Sequence, residues 1–210
     1  MKVLVAGAHG NVASHVLDSL RKRGHEVTGG VRKQDQFDHV RARGAEPVML
    51  DLTRPEQFDA ALSGQEAVIF AAGSGGQAVE SVDRDGAIAL ADAAEASGVS
   101  RFVMLSSMSA DTPENGPEKL QDYLKAKKEA DAHLRKTGLE ATIVRPGSLS
   151  DEAPTGKIET GERLHNLERS ITRADVAETL AEVLETPSTI GKTFEMLQGD
   201  TPIAQAVKAL

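Results

Sequence analysis

The chain has 210 residues, a formal net charge of −8, 3% aromatic residues and no cysteine. This length suits one domain, and the lack of cysteine excludes disulfides and thiolate chemistry and is typical of a reducing cytoplasm. The acidic, aromatic-poor composition disfavours nucleic-acid binding, and no window approaches the roughly 18 apolar residues of a membrane span.

Apolar runs typical of strands alternate with helical patterns along most of the chain. The predicted strands are residues 3–6, 26–31, 46–50, 67–72, 102–105 and 141–144, and the predicted helices between them are residues 12–23, 34–43, 55–62, 84–97 and 118–137. The later runs lack polar alternation, as expected of strands buried on both faces of a parallel sheet. This rhythm predicts an α/β fold: a Rossmann-type, doubly wound parallel sheet in three αβα layers.

The rhythm changes after Pro146. Residues 147–170 hold many charged groups and few apolar runs, and we interpret them as a small, irregular substrate lobe within a single domain, residues 1–210. The stretch Thr172-Arg173-Ala174-Asp175 has the form of a capping box, which predicts a helix to about residue 186. A late strand is predicted at 193–197 and a closing helix at 202–210.

The first strand runs directly into the loop Gly7-Ala8-His9-Gly10-Asn11-Val12-Ala13. Gly7 permits a tight turn, Gly10 lets a pyrophosphate approach the backbone, and Ala13 permits close packing of helix on strand. The helix N-terminus near Asn11 offers free N–H groups to phosphate. Within a repeating βα pattern, this loop predicts a dinucleotide site, and His9 and Val12 are expected to contact it; the alternative is a structural turn.

The residues after the second strand bear on the choice of cofactor. Sites that prefer NAD place an acidic residue there, whereas this chain has Arg32 and Lys33. Two cations suit a ribose 2′-phosphate, so NADP(H) is the expected cofactor and NAD(H) is the alternative. The pair could also be a solvated basic turn.

Two more strand ends belong to the predicted cofactor edge. Asp51-Leu52 closes the third strand, and its carboxylate could accept a hydrogen bond from adenine or cap the next helix. Ala71-Ala72-Gly73 ends the fourth strand, where small residues let a ribose lie against the sheet.

A serine, a tyrosine and a lysine form the candidate catalytic group. Ser107 ends the fifth strand, and Tyr123 and Lys127 lie four residues apart, hence on one face of a helix. The lysine charge is expected to lower the pKa of the phenol from about 10 and so ease proton transfer. Ser107 could bind a substrate carbonyl, and Lys127 could also hold a ribose. The alternative is an exposed tyrosine on a lysine-rich helix.

The six histidines show no convincing ligand spacing, so no metal site is expected. His165, in the predicted lobe, is the one histidine that merits a test. Arg145 is expected to pair near its strand end, with a substrate-anion role as the alternative.

These motifs resemble the short-chain dehydrogenase/reductase superfamily, and within it the atypical, extended-like branch of NAD(P)-binding proteins termed epimerase/dehydratase-like or NmrA-like. The resemblance covers nearly the whole chain and rests on residues 7–13, Arg32, Asp51-Leu52, Ala71-Ala72-Gly73, Ser106-Ser107, Tyr123, Lys127, Arg145-Pro146-Gly147 and residues 171–177. In that family the serine and tyrosine bind the reacting carbonyl or hydroxyl, and the lysine tunes the tyrosine and grips the ribose. The resemblance implies further cofactor contacts at Ser106, Pro146, Gly147 and Ser148.

The sequence departs from the family pattern in three ways. Ala13 replaces a third glycine. The short C-terminal part leaves little room for a nucleotide sugar, which argues against a sugar-nucleotide epimerase. Residues 108–122 are rich in Asp, Glu, Pro and Gly, which is typical of a mobile lid.

The interpretation favours an enzyme, an NADP(H)-dependent oxidoreductase that acts on a small carbonyl or alcohol, with Ser107, Tyr123 and Lys127 as its catalytic residues. The alternatives are an NAD(P)-binding sensor without turnover and a redox-neutral epimerase or isomerase. The expected partner is a small molecule of unknown identity, with no nucleic acid and no membrane. A cytoplasmic monomer or homodimer is expected.

Overall fold

The computed structural model describes residues 1–166 and 169–210. Its strands are β1 (Lys2–Ala6), β2 (Glu26–Val31), β3 (Glu46–Met49), β4 (Ala67–Phe70), β5 (Arg101–Leu105), β6 (Glu140–Pro146), β7 (Ser148–Ser150), β8 (Lys157–Gly161), β9 (Ser170–Thr172), β10 (Thr193–Gln198) and β11 (Thr201–Pro202). Its helices are α1 (Asn11–Lys22), α2 (Phe37–Arg41), α3 (Phe58–Leu62), α4 (Ala87–Ala96), α5 (Gln121–Leu134), α6 (Arg173–Glu185) and α7 (Ile203–Lys208).

The described residues form one large sheet with the strand order β11-β8-β10-β6-β5-β4-β1-β2-β3. The seven neighbouring strands of the stretch β10-β6-β5-β4-β1-β2-β3 run parallel. Strands β8 and β11 extend the sheet beyond β10 in antiparallel pairing. The chain moves outward from β1 to β3, then restarts at β4 on the other side of β1. Ligands of open α/β sheets bind at such a switch point, outside the carboxyl ends of the strands. The predicted fold class is confirmed.

The apolar side chains on both faces of strand β1 account for the three layers. Val3 and Val5 pack into one apolar cluster with α1, α2, α6 and α7, whereas Leu4 and Ala6 pack into another with α3, α4 and α5. Because successive side chains of a strand point to opposite faces, an unbroken apolar run requires helices on both sides. The carboxyl edge of the sheet is therefore left as the open place for a site.

Several helices begin later than the sequence pattern predicts. A 3-10 turn precedes each of α2, α3 and α5, and a π-helical segment, Val79–Gly86, precedes α4. At α6 the prediction holds, because Thr172 Oγ1 accepts a hydrogen bond from the Asp175 N–H at 3.0 Å. The π-helical segment bears on function, since such segments are frequent at functional sites.

The predicted irregular lobe, residues 147–170, contributes short strands in the part of it that the structure describes. Strand β8 pairs with β10 in the large sheet, and β7 pairs with β9 in a separate two-stranded sheet. Two residues of this range, Leu167 and Glu168, lie outside the described part of the chain. Within the described part, we find no helix that is both long and apolar enough to cross a membrane.

Candidate functional site

A cleft of about 1100 Å³ opens at the carboxyl edge of the sheet. Its walls come from the start of α1, the end of β4 with the segment that follows, and the first turns of α5. The residues that were predicted from sequence and line this cleft are Gly10, Asn11, Val12, Ala71, Ala72, Gly73, Tyr123 and Lys127. The fold thus brings the glycine loop and the Tyr–Lys pair, distant in sequence, to one cavity.

The glycine loop is shaped by two residues without a side chain. Gly7 has a φ of +82°, and a Cβ there would lie 2.6 Å from the Cα of Ala72. A Cβ at Gly10 would lie 3.2 Å from the Gly7 carbonyl oxygen. Glycine at these positions therefore permits both the turn off β1 and its close approach to the end of β4.

The N-terminus of α1 is left open, in contrast to that of α6. Gly10 precedes α1 without a side-chain cap, and the first turn of α1 has no acidic residue. At α6, Thr172 caps the helix and Asp175 lies in the first turn. Because the first N–H groups of a helix have no partners within it, those of α1 remain available to an anion. This open end, beside a loop without Cβ atoms, fits a dinucleotide pyrophosphate.

Two predicted adenosine contacts lie at the neighbouring strand ends. Arg32 is exposed directly after β2. Asp51 Oδ1 accepts hydrogen bonds from the Thr53 N–H and Oγ1 at 3.0 and 2.7 Å, so it caps the turn that leads to α3. Burial raises the pKa of Asp51, but these hydrogen bonds and the charges of Arg54 and Arg32 bring it below its usual range. Leu52 is buried.

His9, in the glycine loop, contacts helix α2. Its exposed ring lies 4.6 Å, centroid to centroid, from the ring of His39 on α2. Ser14 Oγ lies 2.8 Å from His39 Nε2 and donates to the Gly10 carbonyl oxygen at 2.9 Å. These contacts join the glycine loop and the start of α1 to α2.

Three further cofactor contacts that the resemblance implies lie at the end of β6 and the start of β7. Pro146 is buried at the end of β6, and the Gly147 N–H donates to the Met196 carbonyl oxygen at 3.1 Å. Ser148 is exposed at the start of β7, and the next residue, Leu149, lines the cleft.

The two serines after β5 have different surroundings. Ser106 is buried, and its Oγ donates to Asp131 at 2.9 Å; Asp131 also accepts two hydrogen bonds from Arg145 at 3.0 and 2.9 Å. Arg145 therefore pairs near its strand end, as predicted. Ser107 is half-buried and lies outside the described wall of the cleft. The buried cluster of Ser106, Asp131 and Arg145 anchors the loop that carries Ser107.

Tyr123 and Lys127 share one face of α5, as their spacing predicts. The Lys127 Nζ lies 5.8 Å from the centroid of the Tyr123 ring and donates to the Leu105 carbonyl oxygen at 3.0 Å. Lys127 is only 1% exposed. Burial lowers the pKa of Lys127 below its usual range, and the charges of Asp83 and Asp131 oppose that shift.

The predicted decrease in the pKa of Tyr123 is wrong for this structure. Burial raises the pKa of Tyr123 above its usual range, and the negative charges of Asp83 and Asp131 raise it further. The sequence reasoning counted the lysine but neither of the buried carboxylates. Tyr123 is therefore a neutral phenol near pH 7, which suits a proton donor.

Asp83 is the main site residue that sequence reasoning missed. It is fully buried in the π-helical segment, and its Oδ2 accepts from the Ser74 N–H and Oγ at 3.2 and 2.5 Å. In the described part of the chain, its Oδ1 has no hydrogen-bond partner. A buried, unpaired carboxylate oxygen is costly and is characteristic of functional sites. The one sequence signal was an acidic residue directly before the predicted helix 84–97.

A second, smaller cavity of about 170 Å³ contains His165. Glu195, which also lines it, accepts a hydrogen bond from the Leu164 N–H at 2.7 Å, and Asp111 pairs with Arg163 at 2.5 Å. These contacts join the segment after β8 to β10 and to the loop after β5. Across residues 1–166 and 169–210, no group of three or more acidic, histidine or cysteine side chains is arranged to hold a metal ion.

A family model described as NAD(P)H-binding matches residues 7–187, a range that includes the glycine loop, α5 and α6. The chain belongs to this NAD(P)H-binding family. Membership in this family agrees with the shape of the glycine loop and the uncapped N-terminus of α1. It also agrees with the resemblance to the epimerase/dehydratase-like, NmrA-like branch.

Relatives of this NAD(P)H-binding protein carry oxidoreductase and epimerase names. The Bacillus subtilis protein named "uncharacterized sugar epimerase YhfK" is 39% identical, with 100% of both chains covered. A structure from Bacillus halodurans, named provisionally as an NAD-dependent epimerase/dehydratase, is 44% identical with a TM-score of 0.96 and covers 100% of both chains. The oxidoreductase ylbE from Lactococcus lactis is 35% identical with a TM-score of 0.89, covering 100% of this chain and 96% of that one.

Proposed function

We propose that this protein is an NADP(H)-dependent oxidoreductase of the short-chain dehydrogenase/reductase type that reduces a small carbonyl compound. The observation that carries the proposal is the shared cleft: the open N-terminus of α1 and the Tyr123–Lys127 pair line the same cavity. An anion site and a proton donor in one cavity are the two parts that a nicotinamide-dependent reduction requires.

Each residue then has a defined part in the reduction. When bound, the cofactor supplies a hydride to the carbonyl carbon of the substrate. Tyr123 donates its phenolic proton to the carbonyl oxygen, and its raised pKa keeps that proton in place near neutral pH. Lys127 uses one N–H for the Leu105 carbonyl oxygen and directs its remaining donors to the ribose. Ser107 is assigned the polarisation of the carbonyl, although it lies outside the described wall of the cleft.

The proposed preference for NADP(H) rests on the end of β2. Arg32 and Lys33 are both exposed directly beyond Val31, where an NAD-preferring site would carry an acidic residue. Two free cations there suit the extra phosphate of NADP(H).

The test is oxidation of NADPH with a panel of aldehydes, ketones and quinones. Tyr123→Phe removes the proton donor, so kcat should fall by about 100-fold or more while the dissociation constant of NADPH stays unchanged. Lys128→Gln, an exposed change on the same helix, is the control and should keep the wild-type rate. Absence of turnover by the wild type, or equal turnover by Tyr123→Phe, would refute the mechanism.

A dinucleotide sensor without turnover is the second candidate. The position of Ser107 outside the described wall of the cleft favours it, because a sensor has no need of a carbonyl-binding serine. A sensor should bind oxidised and reduced cofactor with similar affinity in calorimetry and turn over no carbonyl compound. A redox-neutral epimerase, the third candidate, should retain its cofactor through purification.

A further inference from the structure

Two large apolar side chains are exposed in the wall of the cleft that Tyr123 lines. Leu120 is 47% exposed and Leu149 is 37% exposed, and both line the cleft. Across the described residues, only two other large apolar side chains, Met1 and Ile190, are exposed to this extent, and neither lines the cleft. Single exposed apolar residues are common, but two in the wall of one cavity are typical of a surface that a ligand covers.

Ordered backbone holds both leucines in place. Leu120 ends a 3-10 turn and is followed directly by α5, three positions before Tyr123. Leu149 is the central residue of β7, where it pairs in register with the buried Ile171 of β9. Their exposure therefore does not arise from a loose loop, and both line the same cleft as Tyr123.

The charged groups at the rim of the cleft balance each other. The rim carries three acidic and three basic side chains: Glu80, Asp122, Glu129, Arg84, Lys119 and Lys125. Arg84 lies within 3.8 Å of both glutamates, and Lys125 lies 3.1 Å from Asp122. Of the described rim cations, only Lys119 has no ion pair. Phosphate and carboxylate groups are bound by free, well-directed cations, so this rim is a poor match for an anionic substrate.

We infer that the substrate is an uncharged carbonyl compound with an apolar body, which packs against Leu120 and Leu149 while its carbonyl oxygen faces Tyr123. This inference rests on the proposed reductase function and defines its substrate class. It excludes nucleotide sugars and keto acids as preferred substrates, because the rim offers no set of free cations for their charges.

The experiment measures kcat/KM with NADPH for two matched series, straight-chain aldehydes from propanal to nonanal and the corresponding 2-alkanones. In the wild type, kcat/KM should rise by roughly threefold for each methylene that the leucines cover. Leu149→Ser and Leu120→Ser should each lower kcat/KM for the longest substrates by about tenfold and leave that for the shortest nearly unchanged. Ile190→Ser is the matched control, since Ile190 is also 37% exposed and lies outside the cleft.

The possible outcomes separate this inference from the function on which it rests. Turnover with no dependence on chain length would overturn the inference and leave the reductase function standing. The same holds if Leu149→Ser and Ile190→Ser behave alike, or if pyruvate or a uridine diphosphate 4-ketosugar exceeds nonanal in kcat/KM. No NADPH-dependent turnover of any compound would overturn both. Thermal unfolding of each serine variant verifies that the rates are compared between folded proteins.

Discussion

The two ends of the cleft are built from different parts of the polypeptide. At the glycine loop the site consists of backbone: Gly7 and Gly10 leave space, and α1 presents uncapped N–H groups. At the α5 end it consists of side chains, where the charge of buried Asp83 raises the pKa of both Tyr123 and Lys127. A binding site formed by glycines and a helix N-terminus can therefore be predicted from sequence. A site formed by interacting charges on different elements requires the tertiary structure.

The largest expected effect comes from a substitution in the glycine loop, where the site consists of backbone. In Gly7→Ala, the new Cβ would lie 2.6 Å from the Ala72 Cα on a backbone with φ +82°. Left-handed strain and overpacking together should lower the free energy of unfolding by about 2–5 kcal/mol and abolish NADPH binding. Urea denaturation and the quenching or enhancement of NADPH fluorescence measure the two quantities.

The control for this prediction is Gly64→Ala. Gly64 has a similar φ of +71°, but no atom of the described residues lies within 4 Å of its added Cβ. This variant should lose only about 1–2 kcal/mol of stability and keep its affinity for NADPH. Equal losses in the two variants would show that the close approach to Ala72 has no role.

A smaller effect is expected at Arg32, the side chain proposed to bind the 2′-phosphate of the cofactor. Arg32→Ala should weaken binding of NADPH by about 10- to 100-fold, because a charge-assisted hydrogen bond to phosphate is lost. Binding of NADH, which has no 2′-phosphate, should change little. Calorimetry with both cofactors measures this, and Arg41→Ala, at an exposed arginine of α2, is the control. Equal weakening of both cofactors would refute a phosphate contact.

The smallest expected effect concerns the pKa of Tyr123 at the α5 end of the cleft. Asp83 raises the pKa of both Tyr123 and Lys127, so Asp83→Asn should lower both. Reduction needs the protonated phenol, and its rate is lost as the pH rises through the pKa of Tyr123. The loss should therefore begin at a lower pH in the variant than in the wild type.

The pH profile of kcat/KM for NADPH-dependent reduction measures this shift. Asp92→Asn, on α4 and paired with His133, removes a carboxylate that is 54% exposed and should leave the profile unchanged. A profile that stays in place in Asp83→Asn, or moves to higher pH, would contradict the role assigned to Asp83.

Much of the cofactor end could be predicted because its determinants are local. The spacing of Gly7, Gly10 and Ala13 directly after an apolar run implies a strand, a tight turn and a helix, and each follows from steric rules within a few residues. The four-residue spacing of Tyr123 and Lys127 likewise placed them on one helix face. The prediction for Tyr123 failed at the next step, because its pKa depends on groups outside α5.

The sequence by itself determined the strands β1 to β6 and β10, the loop without Cβ atoms and the membership of this chain in a nucleotide-binding fold, whereas the short strands β7, β8, β9 and β11 were not predicted. Only the tertiary structure decided that a π-helical segment buries Asp83 near Tyr123, that Asp131 and Arg145 anchor Ser106, and that Leu120 and Leu149 line one cavity. Periodicity and spacing report contacts along one element. Burial and electrostatic coupling arise between elements, and the carboxyl edge of the sheet is where distant elements of this chain meet.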